Sequence, residues 1–457
     1  MTKGNSNQTA GHQAQNWDYP LSGLGRIREA ASRDPSARFT SLMHHITPSL
    51  LSNSFHRLKR DAASGVDEVT WYEYLQTLES RVEDLHDRVQ SGRYRAQPSK
   101  RIYIPKPDGG QRPIGIAALE DKIVQAAVTR VLEQIYEEDF LGFSYGCRPR
   151  RGPHHGLDAI WVGVMRRKVN WILDADIRGF YDSLDHTWLM KFLEHRIGDR
   201  RLLRLISKWL RAGVSEEGQW SKTTVGTPQG AVISPLLANI FLHYVLDLWV
   251  QQWRHKQAQG DVIVVRYVDD FVLGFQHSRE AKRFLEDLKS RLNKFHLELH
   301  EDKTRLVEFG RYAQRDREAR GAGKPETFDF LGMTHICSTT RTHGRFTVRR
   351  QPIAKRLGRK LQHIGKRLHT IRHWKVSEQG QWLRQTVQGL FNYYAVPGTC
   401  EVLSTFRKQV SRLWLRALRR RSHKARSLTW KRMALLLDKW LPVVRVRHPY
   451  PNVRLRV

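Results

Sequence analysis

The order of apolar and polar positions marks out several elements along the chain. Residues 262–275 read V-I-V-V-R-Y-V-D-D-F-V-L-G-F. β-Branched and aromatic runs favour strands, and the paired aspartates interrupt them. The pattern predicts a β-hairpin with Asp269 and Asp270 at its tip. Two carboxylates about 4 Å apart repel by roughly 4 kcal/mol at an effective dielectric near 20, so such a tip needs a cation or open solvent. Residues 171–186, W-I-L-D-A-D-I-R-G-F-Y-D-S-L-D-H, begin in strand-like alternation that ends near Asp176 and Gly179. Spacing alone does not choose among Asp174, Asp176, Asp182 and Asp185.

Other segments have helical spacing. Leu and Val recur every three or four positions over 37–90, with a turn at Ser64-Gly65-Val66-Asp67. Further helices are expected over 119–136, from Ser234-Pro235 onward, over 278–295, over 381–394 and over 406–421. Ile353, Leu357, Leu361, Ile364, Leu368 and Ile371 form one amphipathic stripe. Two short strands flank Pro107-Asp108-Gly109-Gly110, which brings Lys106 and Arg112 near one another across a hairpin. A further short strand candidate is F-D-F-L-G-M at 328–333, and Lys303 falls in a turn between strand-like pieces. Residues 1–36, polar and rich in Gly, Asn, Gln and Ser, read as a flexible arm.

Charge changes the picture most. The 457 residues carry a net charge of +33, which calls for a polyanionic partner. From position 341 to the end there are 29 Lys and Arg against three acids, a net of +26 in about a quarter of the chain. The rest is only mildly basic, as a region housing carboxylate chemistry should be. The basic helices there carry interleaved aromatics, a pattern suited to a phosphate backbone. Three scattered cysteines make no disulfide framework and no cysteine-rich zinc module. The N-terminus has no apolar signal core and no run of 18 apolar residues occurs, so a soluble intracellular protein with no membrane partner is expected. In the loop F-S-Y-G-C-R-P-R-R-G at 143–152, aromatics beside Arg148, Arg150 and Arg151 suit a nucleic-acid strand, although a packed loop reads the same way.

The blocks taken in order resemble the bacterial group II intron-encoded reverse transcriptase/maturases. They are I-P-K-P-D-G-G-Q-R-P-I-G-I, F-S-Y-G-C-R-P, D-A-D-I-R-G-F-Y-D-S-L-D-H, G-T-P-Q-G-A-V-I-S-P-L-L-A-N-I-F-L, Y-V-D-D, L-E-L-H-E-D-K-T and F-D-F-L-G. Q-G-L-F-N-Y-Y and W-x-x-x-L-R-R-R-S come next, in the basic region. The resemblance implies an α+β right-hand polymerase whose palm holds a split βαβ sheet. It divides the chain into the arm 1–36, an N-terminal extension and fingers at 37–169, a palm at 170–340 with a fingers insertion near 195–225, and a helical thumb at 341–457.

The same resemblance implies an RNA-directed DNA polymerase that extends a DNA primer on an RNA template with dNTPs. It selects Asp176 as the first catalytic carboxylate, joined by Asp269 and Asp270, with Lys303 as proton donor to the leaving pyrophosphate. Two Mg²⁺ ions about 3.5–4 Å apart, replaceable by Mn²⁺, would sit at Asp176, the adjoining Ile177 and Asp269. Lys106, Arg112, Gln229 and Gly230 would hold the nucleotide, with Tyr181 as the gate against a ribose 2′-OH. Phe330, Leu331 and Gly332 would grip the primer. Nucleic-acid contacts are expected at Arg148, Arg150, Arg151, Lys355, Arg359, Lys360, Lys366, Arg419, Arg420 and Arg421. Group II intron RNA is the expected partner in splicing, and a cytoplasmic, nucleoid-associated bacterial setting is implied.

One departure stands out. Members of this family usually carry alanine where this chain has Val268. That keeps open a host-adopted reverse transcriptase of repair or phage defence, beside a splicing maturase without polymerase activity. No cysteine-bearing HNH segment comes after the basic region, so second-strand cleavage is not expected of this chain.

Overall fold

The computed structural model describes residues 22–105, 109–216, 219–221, 225–227, 229–340 and 342–455. Eleven strands occur among them: β1 (Ser99–Pro105), β2 (Gln111–Ile116), β3 (Trp171–Asp176), β4 (Val214–Glu216), β5 (Gln219–Ser221), β6 (Val262–Tyr267), β7 (Asp270–Phe275), β8 (Arg305–Glu308), β9 (Phe328–Phe330), β10 (Met333–Thr339) and β11 (Phe346–Pro352). They form three sheets, ordered β2-β1-β4-β5, β6-β7-β3-β8 and β11-β10-β9, and helices fill most of the remaining chain, so the fold is mixed α+β.

The sheet β6-β7-β3-β8 is antiparallel throughout. Its order is that of a split βαβ arrangement, in which a strand from a hairpin lies between two strands joined by a helical crossover. Side chains alternate between its faces. Leu173, Ala175, Phe271, Leu273 and Phe275 enter the largest core, where Phe284, Leu288 and Leu292 of helix Ser278–Asn293 cover them. Ile172, Val265, Val272 and Val307 enter a second core under Leu157, Ile160 and Val164 of helix Pro153–Arg166. Asp174 and Asp176 lie two and four residues after Ile172, and Asp270 lies two before Val272. All three acids therefore share the second face, at the end where its apolar cover stops.

Three expectations change. Residues 22–33 are not a flexible arm: helix Ser22–Arg33 buries Leu24, Ile27 and Ala31 in the main core. Its Gly and Arg positions mask a three- to four-residue apolar stripe. Residues 328–333 are not one strand either. β9 and β10 pair as a hairpin with Met333 opposite Phe330, and Leu331 and Gly332 turn the chain with φ of 46° and 79°. Two left-handed residues are what the tightest hairpin turn demands. Tyr181 lies in the short helix Phe180–Ser183 that follows Gly179, where the sequence pattern suggested only the end of a strand.

The basic C-terminal region is a helical bundle built from Ala354–Thr370, Val376–Tyr394, Cys400–Arg419 and Trp430–Trp440. Its core centres on Ile364, Leu383, Val387, Val410 and Trp414. The predicted stripe from Leu357 to Leu368 faces inward as read. One buried amide secures the first corner. Gln379 Nε2 lies 3.1 Å from each of the carbonyl oxygens of Ile371, Arg372 and Trp374. Its Oε1 accepts from Trp414 Nε1 at 3.0 Å. These carbonyls come just after a helix end, where backbone acceptors otherwise lack partners. Each buried polar group left unpaired costs about 1–3 kcal/mol. Gln379→Leu should therefore destabilise this bundle by about 3 kcal/mol. In hydrogen exchange under mild urea, the helices of the bundle should lose protection before β3 and β7 do.

Candidate active site

The site is built where β3, β7 and the loops around them end. Asp176 and Asp270 are direct cross-strand partners. Asp269 sits in the two-residue link between β6 and β7 beside Val268, whose side chain is buried and whose φ is +60°. Lys303 Nζ donates to Asp176 Oδ2 at 2.6 Å, and His300 N donates to Asp176 O at 2.8 Å, so the turn carrying Lys303 is fastened to the end of β3. Ile177 bridges Leu299 in the same seam, with its side chain in the main core.

The nucleotide candidates approach from the other side. β1 and β2 form the predicted hairpin, with Arg112 opposite Ile104. Arg112 is near enough to Asp269 to oppose the rise of its pKa. Gly115 N donates to Gln229 O at 2.7 Å, and a Cβ on Gly230 would come within 2.7 Å of Gly115 O, so the Gln229–Gly230 turn lies flat on β2. Gly230 also has φ of +114°, a backbone region that favours glycine. Thr227 N donates to Tyr181 O at 2.8 Å, joining this loop to the helix that carries Tyr181. Burial, with Cys147 and Asp269 nearby, raises the Tyr181 phenol above its ordinary value. Arg112, Tyr181, Gln229 and the three acids thus converge. Lys106 lies outside the described residues.

Negative charge is concentrated here beyond what the nearby cations offset. Burial pushes the Asp270 carboxyl up to about 8, with the charges of Asp174, Asp176 and Asp269 adding to the shift. Burial also raises Asp269, and Asp176 adds to it while Arg112 and Lys303 oppose. Asp174, which the resemblance did not select, is a half-buried neighbour of this group. Its carboxyl is pushed to about 7, chiefly by burial, with Arg305 opposing from 3.7 Å. Two-residue spacing from Asp176 on a strand was the signal for that shared face.

Among the described residues no group of three His, Cys, Asp or Glu side chains is arranged to hold a metal ion by itself. The donor chemistry nonetheless suits a hard divalent cation. Half-buried carboxylate oxygens raise one another's pKa, and Lys303 already places positive charge on one of them. Mg²⁺ is commonly held by one or two carboxylates plus substrate phosphates, for which an open site leaves room.

The basic loop at 143–152 divides. Arg148 is buried, donates to Glu137 at 3.0 Å and to the carbonyls of Leu141 and Ser144, and stacks on Phe140. It is a structural residue, not a nucleic-acid contact, because Glu137 from the preceding helix neutralises it. Arg151 is half-buried, bonded to Gly142 O and Ser144 O, and packed over Tyr145, while Arg150 is exposed. In the bundle Lys355, Arg359, Lys366 and Arg420 are exposed and Lys360 is half-buried. Arg419 donates to Leu428 O, and half-buried Arg421 donates to His373 O. Phe330 is buried, and the Leu331–Gly332 turn is braced by Tyr393, whose hydroxyl donates to Leu331 O at 2.6 Å. Sequence reasoning also passed over Gly146, where a Cβ would lie 2.6 Å from Val268 Cγ2.

The raised Asp270 value has a measurable consequence. The folded value, about 8, exceeds the ordinary 3.8, so folding takes up a proton that the unfolded chain releases. This group's stabilisation is present below about pH 4 and is lost as pH rises through about 8. In EDTA, Asp270→Asn should flatten the fall of melting temperature between about pH 5 and 8, and should melt several degrees above wild type at the upper end.

Comparison with known proteins places these features in a family. Residues 104–335 match the family described as reverse transcriptase (RNA-dependent DNA polymerase). The chain is 33% identical over 313 residues to Protein YkfC of Escherichia coli K12, covering 60% of this chain and 81% of that protein. It is 31% identical over 290 residues to the group II intron-encoded protein LtrA of Lactococcus lactis, covering 50% of this chain and 48% of LtrA. It is 27% identical over 311 residues to the putative COX1/OXI3 intron 1 protein of Saccharomyces cerevisiae, covering 56% of this chain and 36% of that protein. The chain thus spans most of YkfC but about half of LtrA. A match over half the chain, with the paired aspartates inside it, makes this protein a member of the reverse transcriptase (RNA-dependent DNA polymerase) family.

Proposed function

We propose that the chain is an RNA-directed DNA polymerase of right-hand architecture that extends a DNA primer on an RNA template with dNTPs. The observation that carries this is the meeting of Asp176, Asp269 and Asp270 with Arg112 and the Gln229–Gly230 turn at one sheet end. In this reading 37–169 are the N-terminal extension and fingers, 170–340 the palm with an insertion near 195–225, and 341–457 the thumb.

Asp176 and Asp269 would hold two Mg²⁺ ions, with the Ile177 main chain beside them. When bound, these ions would lower the pKa of the primer 3′-OH and offset charge on the departing pyrophosphate. The chain's own groups do the rest. Arg112 would clamp the triphosphate as a fork, with Lys106 as a point charge. The Gln229–Gly230 turn, flat on β2, would let backbone approach the base pair and sugar. The ring of Tyr181, packed near Asp269, would fill the space of a ribose 2′-OH. Lys303, now on Asp176, would be freed once other positive charge reaches that carboxylate, leaving its ammonium to protonate the pyrophosphate. Phe330, Leu331 and Gly332 would position the primer end.

The exposed cations Lys355, Arg359, Lys366 and Arg420 on the bundle support binding of a long polyanion. LtrA is named as a group II intron-encoded protein, and group II intron RNA is the partner we assign, with splicing assistance as a second activity. Splicing of RNA flanking the reading frame, assayed beside primer extension with the same preparation, tests this. A host-adopted role in repair or defence gains from Val268. It predicts polymerase activity without splicing.

Asp269→Asn should lower primer extension by on the order of 10³-fold or more, because it removes a charge the transition state requires. Arg112→Ala should raise KM for dNTPs by about 10- to 100-fold, the range of one charge-assisted hydrogen bond. Steady-state kinetics with Mg²⁺ on a primed RNA template checks both.

A further inference from the structure

An arginine in the middle of an apolar strand is a conflict that needs a resolution. Arg266 lies between Val265 and Tyr267 in β6, and its side chain is 0% exposed. Nε donates to Asp247 Oδ1 at 2.7 Å and Nη2 to Asp247 Oδ2 at 2.6 Å. Nη1 donates to Asn239 Oδ1 at 2.9 Å and to Val268 O at 3.0 Å. Asn239 in turn donates from Nδ2 to Gly146 O at 2.8 Å. The Arg266 main chain is also engaged, donating to Phe143 O at 2.9 Å and accepting from Tyr145 N at 2.8 Å. Arg266, through its guanidinium, its main chain and the Asn239 amide, therefore ties together helix Ser234–Leu242, the π-helical turn His243–Asp247, loop 143–147 and the hairpin that carries Asp269 and Asp270.

Two irregularities meet at this point. A π-helical turn holds one more residue than an α-turn and rotates the next stretch of helix by about 100°. Asp247 closes such a turn, and it is this residue that receives the guanidinium. Val268 is the second irregularity. It occupies the first of two central hairpin positions with φ of +60°, a place that a tight hairpin with this backbone reserves for glycine. A β-branched residue stays there only when its surroundings impose the conformation. Arg266 Nη1 holds its carbonyl, and Gly146 leaves room for its side chain.

We propose that Arg266, clamped by Asp247 and Asn239, is a positioning residue for the polymerase site: it holds Val268 left-handed and thereby sets where Asp269 and Asp270 point. The consequence for chemistry rests on the polymerase reading, whereas the hold on the hairpin tip does not.

Two variants test it. Arg266→Lys keeps the charge but cannot make the fork to Asp247 together with the bonds to Asn239 and Val268. The double variant Arg266→Met, Asp247→Leu removes both buried charges and leaves neither unpaired, which protects folding. Hydrogen exchange in EDTA reads the tip directly, and melting temperature reads folding. In the folded double variant the amides of 268–270 should exchange about tenfold faster or more, while β3 keeps wild-type protection, and kcat for primer extension should fall about tenfold with KM for dNTPs near wild type. Arg266→Lys should move both readouts the same way. Wild-type exchange at 268–270 in either folded variant overturns the proposal, as does faster exchange with kcat unchanged. A wild-type protein that extends no primer would instead refute the polymerase reading, and the exchange rates alone would then decide whether Arg266 holds the tip.

Discussion

Like charges forced together at the end of a buried sheet set the terms for this molecule. Asp176 and Asp270 are paired by register, Asp269 comes from the hairpin link, and Asp174 lies on the same face. The apolar strands beneath them supply the rigidity, and that rigidity prevents the acids from drifting apart. The response is positive charge brought from separate elements: Lys303 from the turn after the 278–293 helix, Arg305 from β8, and Arg112 from a different sheet. These cations offset the acids only in part: burial, with the neighbouring carboxylates adding to it, keeps the Asp270 and Asp174 carboxyls raised. A site held in this unbalanced state favours whatever arrives carrying compensating charge.

The sequence carried the elements and much of the site, for identifiable reasons. Strand alternation and the Gly-rich turn placed β1, β2, β3, β6 and β7. The resemblance then singled out Asp176, which spacing alone left among four acids. Pairings between distant segments were not legible. Nothing local says that Asp176 faces Asp270, or that Asn239 reaches Gly146. Arg148 was misread because a loop with aromatics and arginines looks alike whether it faces nucleic acid or, as here, Glu137. The helix at 22–33 was hidden by its polar residues, since three apolar positions suffice to dock one face. The lone arginine in V-I-V-V-R-Y was a readable signal of a buried ion pair, because a long cation in a core strand must be partnered.

The basic bundle is not an independent appendage. Tyr393, near the end of helix Val376–Tyr394, bonds the turn at Leu331, and a Cβ on Gly332 would meet Arg356 Nη1 at 2.8 Å. His448 stacks on His154 with ring centroids 3.7 Å apart, and Arg350 and Arg454 share the buried Asp158. Groups from the last third of the chain are thus fastened to the helix and turn beside the sheet β6-β7-β3-β8.

The interlock of Gly146 and Val268 also bears on how this sequence can change. With valine at 268, any side chain at 146 collides with it, and with the hairpin backbone behind it. Shrinking 268 relieves only part of that collision, because Val268 N lies as close to the added Cβ as the methyl group does. The backbone contacts therefore require glycine at 146 whatever residue stands at 268, whereas position 268 can change over that glycine. The freedom of the hairpin tip to change its side chain thus depends on a glycine in a loop far away in sequence.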